Sequence, residues 1–291
     1  MKAMSAKESD VSLSDLTRMV DALTATFADA HSGDSDDQLA KALVFNAGRL
    51  AWRMRESGVT TDFKTSISDV VTDADRAAEQ FVAGVLDALR PEDGVLGEEG
   101  AQRASKSGRT WVIDPVDGTY NFTSGSDYWC SALALVEGEP SDPARLILGA
   151  VHRPAMGYTW CGGPELPTTV DGTGMKKLVD APSDHLSLGT YLHPHWLDDV
   201  RVRGAWQSVV TRFATLRMFG AGSVDLAGVA AGELGVWMQH TVADWDWLPG
   251  KALVEGVGGT CLKVEAGGVE WCVAGNPQAV AEVAGTLKTI G

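Results

Sequence analysis

Apolar residues recur at helical spacing near the start of the chain. Because positions three and four apart lie side by side on a helix, residues 15–30 are predicted to form one. Its apolar face would carry Leu16, Met19, Val20, Leu23 and Phe27. A polar break at 31–37 separates it from a second predicted helix at about 38–56, which Gly58 would end.

A third predicted helix begins with a capping signal. Val70 and Val71 form a short extended run, and Thr72 follows in the position of a helix N-cap. Asp75 lies three positions later, which gives a shortened form of the capping box. The helix would continue to about Arg90.

Short apolar runs bounded by turn residues predict strands in the middle of the chain. They cover residues 94–99, where the strand leads into a loop, and residues 111–113, 131–136, 146–151 and 158–161. After an irregular join at 162–182, strands are predicted at 186–192 and 234–238, and helices at 196–214, 225–231 and 248–257. Helices and strands mix throughout, which favours a layered α/β or α+β fold.

Composition narrows the class of protein. The 291 residues allow one large or two small domains, and 24 basic against 39 acidic residues give a formal charge of −15. This charge argues against binding nucleic acid or an anionic membrane through a general basic field. The four cysteines form no Cys-x-x-Cys pair, and the N-terminus lacks the apolar core of a signal peptide. We therefore expect a reduced, cytoplasmic protein without a membrane span.

The stretch from Trp111 to Asn121 carries the clearest chemistry. Its sequence, Trp-Val-Ile-Asp-Pro-Val-Asp-Gly-Thr-Tyr-Asn, is an apolar run that ends in two carboxylates, Asp114 and Asp117. A Gly-Thr pair follows at once, where the backbone can turn tightly and open its N–H groups. Carboxylate oxygens suit a divalent cation, and backbone N–H groups suit a phosphate. Together they predict a site that binds both.

Other polar residues stand out on weaker grounds. Glu98 and Glu99 follow a predicted strand, and Asp246 lies between two tryptophans. Taken singly, the two glutamates indicate a solvated loop, Asp75 and Asp246 indicate helix caps, and Lys64 indicates a surface lysine. If the carboxylates converged without a cation, they would repel one another and take up protons. Two Mg²⁺ ions with oxygen ligands would remove that conflict.

In combination, these residues resemble the inositol monophosphatase family, a branch of the lithium-sensitive, Mg²⁺-dependent phosphatases. Four separate motifs occur in the family's order: Lys64, Asp69, Val71-Thr72 and Asp75; Gly97-Glu98-Glu99; Asp114-Pro115-Val116-Asp117-Gly118-Thr119 with Asn121; and Trp245-Asp246 with Glu255 and Gly258-Gly259. The resemblance covers roughly residues 38–276.

The resemblance implies a role for each matched residue. The metal ligands would be Glu98, Asp114, Asp117, Asp246 and the backbone carbonyl of Val116. Asp114 would bridge two ions, and a third, weaker ion would lie near Glu98. The candidate catalytic residues are Asp75, Thr119 and Glu98, of which Asp75 and Thr119 would orient and help deprotonate the attacking water. The N–H groups of Gly118 and Thr119 would hold the phosphate, Gln239 would contact the substrate, and Lys64 would add a charge near the metals.

The resemblance also implies the reaction and the architecture. Two to three Mg²⁺ ions per site, or Mn²⁺ in their place, would support direct attack of water on phosphorus, without a covalent phospho-enzyme. The fold would be a sandwich of alternating α and β layers (αβαβα). An N-terminal extension at 1–37 would precede an α+β half at 38–165, which carries most metal ligands, and an α/β half at 166–291, which carries Asp246. A homodimer and inhibition by Li⁺ are further implications.

The predicted substrate-reading residues depart from the family pattern. In inositol phosphatases a glutamate seven residues before the aspartate of the Trp-Asp pair contacts the sugar hydroxyls, and here Gln239 holds that position. Glutamine accepts through its oxygen, but it also donates and carries no charge. The family's Gly-Ser-Ala-Ala loop becomes Gly220-Ala221-Gly222-Ser223. Three histidines, His193, His195 and His240, are interpreted as surface or loop residues, and lining of a pocket is the alternative.

The predicted substrate is inositol monophosphate, with histidinol phosphate as the alternative within the family. A 3′-phosphoadenosine 5′-phosphate or a fructose bisphosphate is less favoured, because no basic cluster lies near the motifs. Two other classes of protein are alternatives. A haloacid-dehalogenase-type phosphatase would form an aspartyl-phosphate, but its aspartates are two positions apart, whereas Asp114 and Asp117 are three apart. A non-catalytic metabolite-binding protein would not need the complete set of matched residues.

Overall fold

Helices and strands follow one another along the whole described chain. The computed structural model describes residues 13–58, 61–63 and 70–290. Its α-helices are α1 (Leu13–Ala30), α2 (Asp36–Glu56), α3 (Asp73–Leu89), α4 (Thr119–Thr123), α5 (Val200–Val210), α6 (Gly222–Ala230), α7 (Asp244–Gly256) and α8 (Pro277–Lys288). Its strands are β1 (Thr61–Phe63), β2 (Val70–Thr72), β3 (Gly94–Gly97), β4 (Gln102–Arg103), β5 (Arg109–Asp117), β6 (Cys130–Glu139), β7 (Asp142–Arg153), β8 (Tyr158–Gly163), β9 (Leu166–Val170), β10 (Thr173–Gly174), β11 (Ser187–Thr190), β12 (Thr215–Arg217), β13 (Val236–His240), β14 (Thr260–Ala266) and β15 (Val269–Gly275).

Five layers stack in the order helix, sheet, helix, sheet, helix. α1, α2 and α3 cover one face of an eight-stranded sheet with strand order β10-β9-β8-β7-β6-β5-β3-β4. α6 and α7 lie between that sheet and a five-stranded sheet with strand order β12-β11-β13-β15-β14. α5 and α8 cover the outer face of the second sheet. The predicted αβαβα sandwich is therefore confirmed.

The side chains of β5 alternate between two hydrophobic cores. Trp111 and Ile113 pack in the core under α2 and α3, while Val112 between them packs in the core around α6 and α7. Because both faces of the strand are covered, the sequence shows a continuous apolar run here rather than an alternating one. This strand delivers the first acidic motif into the middle of the sandwich.

Helix α7 approaches the eight-stranded sheet closely. Ala134 on β6 and Gly149 on β7 are paired in the sheet and present almost no side chain. A Cβ atom added at Gly149 would lie 2.2 Å from the carbonyl oxygen of Pro249 and 2.9 Å from the Cβ of Ala252. Position 149 therefore accommodates only glycine, and the backbone of α7 packs directly on the sheet at this point.

Several predicted boundaries differ from the structure. The helix predicted at 196–214 is confirmed only at 200–210, as α5, because the residues before it form a separate 3₁₀ helix, Pro194–Leu197. The carboxylate of Asp199 accepts the N–H groups of Arg201 and Val202 and so starts α5 anew. The join expected to be irregular at 162–182 contains β9 and β10, so the first sheet continues past residue 165. The division of the chain at 165 stays a prediction.

The N-terminal helix belongs to the outer helical layer. Val20 and Phe27 of α1 are buried, and the Phe27 ring meets the Phe81 ring of α3 edge-on at 5.2 Å between centroids. Among the described residues, no helix combines the length and the apolar character that a membrane span requires. The four cysteines are free thiols.

Candidate active site

The two aspartates of the first motif converge because β5 is irregular between them. In a regular strand, residues three positions apart point to opposite faces of the sheet. β5 pairs with β6 in register as far as Asp114, and the register shifts before Asp117. Pro115 has no N–H for the ladder, and its carbonyl oxygen accepts a hydrogen bond from the Ser131 hydroxyl. The irregular stretch turns both carboxylates toward one point.

Asp246 completes a cluster of three carboxylates. One oxygen each of Asp114, Asp117 and Asp246 lies within 4.8 Å of the others, with the first two residues buried and Asp246 half-buried. Asp246 belongs to the first turn of α7, which begins at Asp244, four residues before the predicted start. Glu98 lines the same cavity. The structure thus brings together the four acidic side chains that the sequence marked as metal ligands.

The cluster is electrostatically strained without a cation. Burial raises the pKa of Asp114 well above its usual range, and the charges of Glu98, Asp117 and Asp246 raise it further. Burial likewise raises the pKa of Asp246, again with help from the neighbouring carboxylates. A divalent cation between these oxygens would offset the repulsion and restore the charged forms. The hard carboxylate oxygens fit Mg²⁺.

Asp117 is also held from the second half of the chain. Its Oδ1 accepts the N–H of Gly222 at 3.2 Å, and its Oδ2 accepts the N–H of Ser223. These are the first two residues of α6. Burial raises the pKa of Asp117, whereas hydrogen bonds from Ser223 and Gly222 lower it. Helix α6 therefore begins directly on a predicted metal ligand.

Thr119 and Asp75 are in contact, as their predicted roles require. Oγ1 of Thr119 lies 3.2 Å from Oδ1 of Asp75 and 3.0 Å from the carbonyl oxygen of Val116, and its single proton serves one of them at a time. Oδ2 of Asp75 accepts the N–H of Thr72 at 2.9 Å, which completes the predicted capping box. Burial raises the pKa of Asp75 to about 6 against the hydrogen bonds from Thr72, and the charge of Glu99 adds to the rise.

A buried glutamate that the sequence pattern did not indicate supports the Gly-Glu-Glu element. Glu79 accepts the N–H of Glu99 at 2.8 Å and that of Ala101 at 2.7 Å. A Cβ atom at Gly97 would fall 2.3 Å from Oε2 of Glu79, so a larger residue there would push the Glu79 carboxylate away from these two N–H groups. An acidic residue one helical turn after Asp75, on the buried face of α3, was the available signal.

The carboxylates line a cavity of about 880 Å³. Most of its lining falls into two groups, and Tyr120, Asn121, Gly220, Gly222 and Trp237 complete it. The metal wall consists of Glu98, Asp114, Val116, Asp117, Gly118, Thr119 and Asp246. The substrate wall consists of Tyr191, His193, Pro194, Met218, Phe219 and Gln239. The sequence indicated every member of the metal wall but, of the substrate wall, only Gln239 as a contact.

The predictions for the three histidines and for Lys64 fare differently in the structure. His193 lines the cavity, and His240 is buried between the rings of Trp196 and Trp271, each at 4.9 Å between centroids. His193 lies in a loop, as predicted, and it also lines the cavity, which was the alternative. The surface or loop prediction is wrong for His240, which is buried on β13, and is confirmed for His195, which is exposed. Lys64 and Asp69 lie outside the described residues.

Several known proteins are similar to this chain in sequence. The profile of the inositol monophosphatase family matches residues 34–289. The inositol-1-monophosphatase of Rhizobium meliloti (strain 1021) is 31% identical over 240 residues, which are 77% of this chain and 84% of that protein. The histidinol-phosphatase of Mycobacterium tuberculosis (strain ATCC 25618 / H37Rv) is 42% identical over 127 residues, which are 43% of this chain and 46% of that protein.

A solved structure shows the same fold. The crystal structure of the extragenic suppressor protein SuhB from Bartonella henselae superposes with a TM-score of 0.75 at 22% identity. The match covers 86% of this chain and 97% of that one. At this level of identity the likeness concerns the layered architecture alone.

Proposed function

Because the chain belongs to the inositol monophosphatase family, and is therefore a phosphoric monoester hydrolase, we propose that it hydrolyses a small phosphorylated metabolite with Mg²⁺ at the metal wall. One observation carries the proposal. Three carboxylates from β5 and α7 meet within 4.8 Å. The nearby hydroxyl of Thr119 donates to a further buried carboxylate, that of Asp75. A site for cations therefore adjoins a site for proton transfer.

The metal wall has the donors that the family's cations need. Glu98, Asp114, Asp117 and Asp246 would hold the ions, together with the carbonyl oxygen of Val116. We propose two to three Mg²⁺ ions, with Mn²⁺ able to replace them. When bound, the ions lower the pKa of water and offset negative charge on the departing oxygen.

The chain's own residues would position the substrate and move the proton. Thr119 would orient the attacking water through Oγ1, and Asp75 would accept a proton through that hydroxyl, since its pKa of about 6 leaves it ionised at neutral pH. The N–H groups of Gly118 and Thr119 would bind the phosphate oxygens. Lys64 would add a positive charge near the phosphate.

Two substrates are proposed in order. Inositol monophosphate is the first candidate, in keeping with the name of the Rhizobium meliloti relative. Histidinol phosphate is the second, and a specific feature favours it. The cavity presents Gln239 rather than a glutamate for sugar hydroxyls, and the 42% identical stretch belongs to a histidinol-phosphatase.

Phosphate release tests both levels of the proposal. The purified protein is assayed with myo-inositol 1-phosphate, histidinol phosphate, fructose 1,6-bisphosphate and 3′-phosphoadenosine 5′-phosphate, in Mg²⁺ and in EDTA. We expect Mg²⁺-dependent release, inhibited by millimolar Li⁺, and a dimer by light scattering. Release from none of them in Mg²⁺ or Mn²⁺ contradicts the proposed reaction. Release from histidinol phosphate alone replaces the first substrate with the second.

A further inference from the structure

The start of α6 is tied to the first half of the chain by side chains that hold no metal. Nδ2 of Asn121 donates to the carbonyl oxygens of Tyr128 at 2.9 Å and Phe219 at 2.7 Å. The hydroxyl of Tyr128 donates to Oδ1 of Asp225 at 2.6 Å. One tie therefore lies just before α6 and the other lies one turn inside it.

The Tyr128 side chain is fixed on its ring as well as at its hydroxyl. The guanidinium of Arg153 lies 4.6 Å from the ring centroid, and the Phe219 ring lies at the same distance between centroids. Asp225 is only 2% exposed. A buried hydrogen bond between groups held this firmly is directional and costly to lose.

These ties adjoin the predicted metal loop directly. A Cβ atom at Gly118, where φ is +91°, would lie 3.0 Å from the Cβ of Ala221 and 3.2 Å from the carbonyl oxygens of Gly220 and Tyr128. The loop after Asp117 thus packs without a gap on the segment that enters α6. A shift of α6 by a fraction of an ångström would move the N–H groups of Gly222 and Ser223 on the Asp117 carboxylate.

We propose that Asn121, Tyr128 and Asp225 form a clasp that positions α6 on Asp117 and thereby sets the affinity of the metal wall for divalent cations. The proposal rests on the proposed function only in naming the cation site. Groups that orient a metal ligand commonly change metal affinity by about 10- to 100-fold when removed. The clasp acts through Asp117, so its three members are positioning residues.

Metal binding without substrate tests the clasp. Mn²⁺ affinity is measured by electron paramagnetic resonance on the full chain for wild type, Tyr128→Phe, Asp225→Ala and the double variant. Tyr128→Phe keeps the ring on Phe219 and removes only the donor, so we expect Mn²⁺ binding about tenfold weaker. If the two side chains act as a pair, the double variant should bind no more weakly than the weaker single variant. Tyr158→Phe, at an exposed tyrosine on β8 outside the cavity, should bind like wild type.

Enzyme kinetics separate positioning from general damage. The Mg²⁺ concentration for half-maximal activity should rise about tenfold in Tyr128→Phe, while kcat at saturating Mg²⁺ stays within about twofold of wild type. Wild-type Mn²⁺ affinity in Tyr128→Phe, or additive losses in the double variant, would overturn the clasp. If Tyr128→Phe does not fold, Asn121→Ser decides in the same assay: weakened Mn²⁺ binding supports the clasp, and unchanged binding overturns it. Absence of phosphatase activity in wild type leaves the Mn²⁺ result intact, so the two failures are distinguishable.

Discussion

The metal wall and the substrate wall of the cavity are built in opposite ways. On the metal wall, Asp114 and Asp117 are buried, and Asp117 accepts two backbone N–H groups from α6. On the substrate wall, Met218 and Phe219 are 47% and 40% exposed and lie in the loop between β12 and α6. One wall is anchored in the sandwich, and the other is carried mainly by connecting segments.

This difference assigns the hydrolytic reaction to the metal wall and the choice of substrate to the substrate wall. Hydrolysis needs carboxylates at fixed distances, and only a packed scaffold holds charged groups so close together. Choice of substrate needs shape and hydrogen bonding, which loops can change without disturbing the core. Substitutions on the metal wall should therefore affect every substrate alike, whereas those on the substrate wall should change the ratio between substrates.

The sharpest test of this division is Asp114→Asn. We expect kcat to fall by about 10³-fold or more on every substrate, because a proposed bridging carboxylate loses its charge. Phosphate release is measured on inositol monophosphate and histidinol phosphate, with circular dichroism to check the fold. Asp142→Asn, at an exposed position at the start of β7, should be fully active. Near-wild-type activity of Asp114→Asn contradicts the metal assignment.

The proton-transfer pair should affect all substrates as well, and it should depend on pH. We expect Thr119→Val to lower kcat by about 10²-fold or more, since general base assistance is commonly worth that much. In wild type, Asp75 accepts a proton only when ionised. Activity should therefore be low below its pKa of about 6, rise through that value and level off above it.

A pH profile of kcat/KM tests the role of Asp75. The inflection near pH 6 should be present in wild type and absent from the residual activity of Thr119→Val, because the hydroxyl that links Asp75 to water is gone. An unchanged inflection in the variant means that another group is the base. Asp75 would then not be the proton acceptor of the reaction.

Gln239→Glu tests the substrate wall alone. A carboxylate accepts hydrogen bonds from sugar hydroxyls and donates none. We expect kcat/KM for inositol monophosphate, relative to histidinol phosphate, to rise about tenfold, with the Mg²⁺ dependence unchanged. Gln207→Glu, an exposed position on α5, controls for the added charge. An unchanged ratio of kcat/KM values means that Gln239 does not read the substrate.

The smallest expected effect is on stability. Because the pKa values of Asp114 and Asp246 are raised in the fold, the folded protein keeps protons that the unfolded chain releases. The metal-free protein should therefore lose stability as pH rises. Mg²⁺ at 100 times its Kd would add about 2.7 kcal/mol, and its effect on Tm should be larger at pH 8 than at pH 6.

Thermal unfolding with EDTA or Mg²⁺ measures this stabilisation. In Asp114→Asn the metal-free Tm at pH 8 should rise, because the buried carboxyl that must hold a proton or repel its neighbours is gone, and most of the Mg²⁺ effect should disappear. A Tm that is indifferent to Mg²⁺ in wild type contradicts a cation site at the metal wall. The metal wall would then not differ from the substrate wall by binding a cation.

The fold and the metal wall were largely predictable because they leave local signals. The buried strand β5 is a continuous apolar run, and the cap at Thr72 lies beside its own partner Asp75. The acidic motifs are short and contiguous, so their residue order alone indicated the chemistry. The bulge that makes Asp114 and Asp117 converge was marked by Pro115 between them.

The substrate wall was not predictable because its members meet only in three dimensions. Tyr191 follows β11, while Phe219 precedes α6, and no sequence period links them. His240 is buried because two tryptophans from other elements close over it. The break between the 3₁₀ helix and α5 depended on capping by Asp199, which competed with an otherwise helical apolar pattern.

Gly149 is needed to place a site residue although it lies outside the site. The residue lies on β7, in no acidic motif and in no part of the cavity lining, yet it admits the backbone of α7 that carries Asp246. In a screen of random mutants, Gly149→Ala should therefore appear among the inactive clones beside the carboxylate variants, although it deletes no functional group. Reversion by a second mutation should be rare, because the nearest obstacle is the main-chain oxygen of Pro249, which no change of side chain removes.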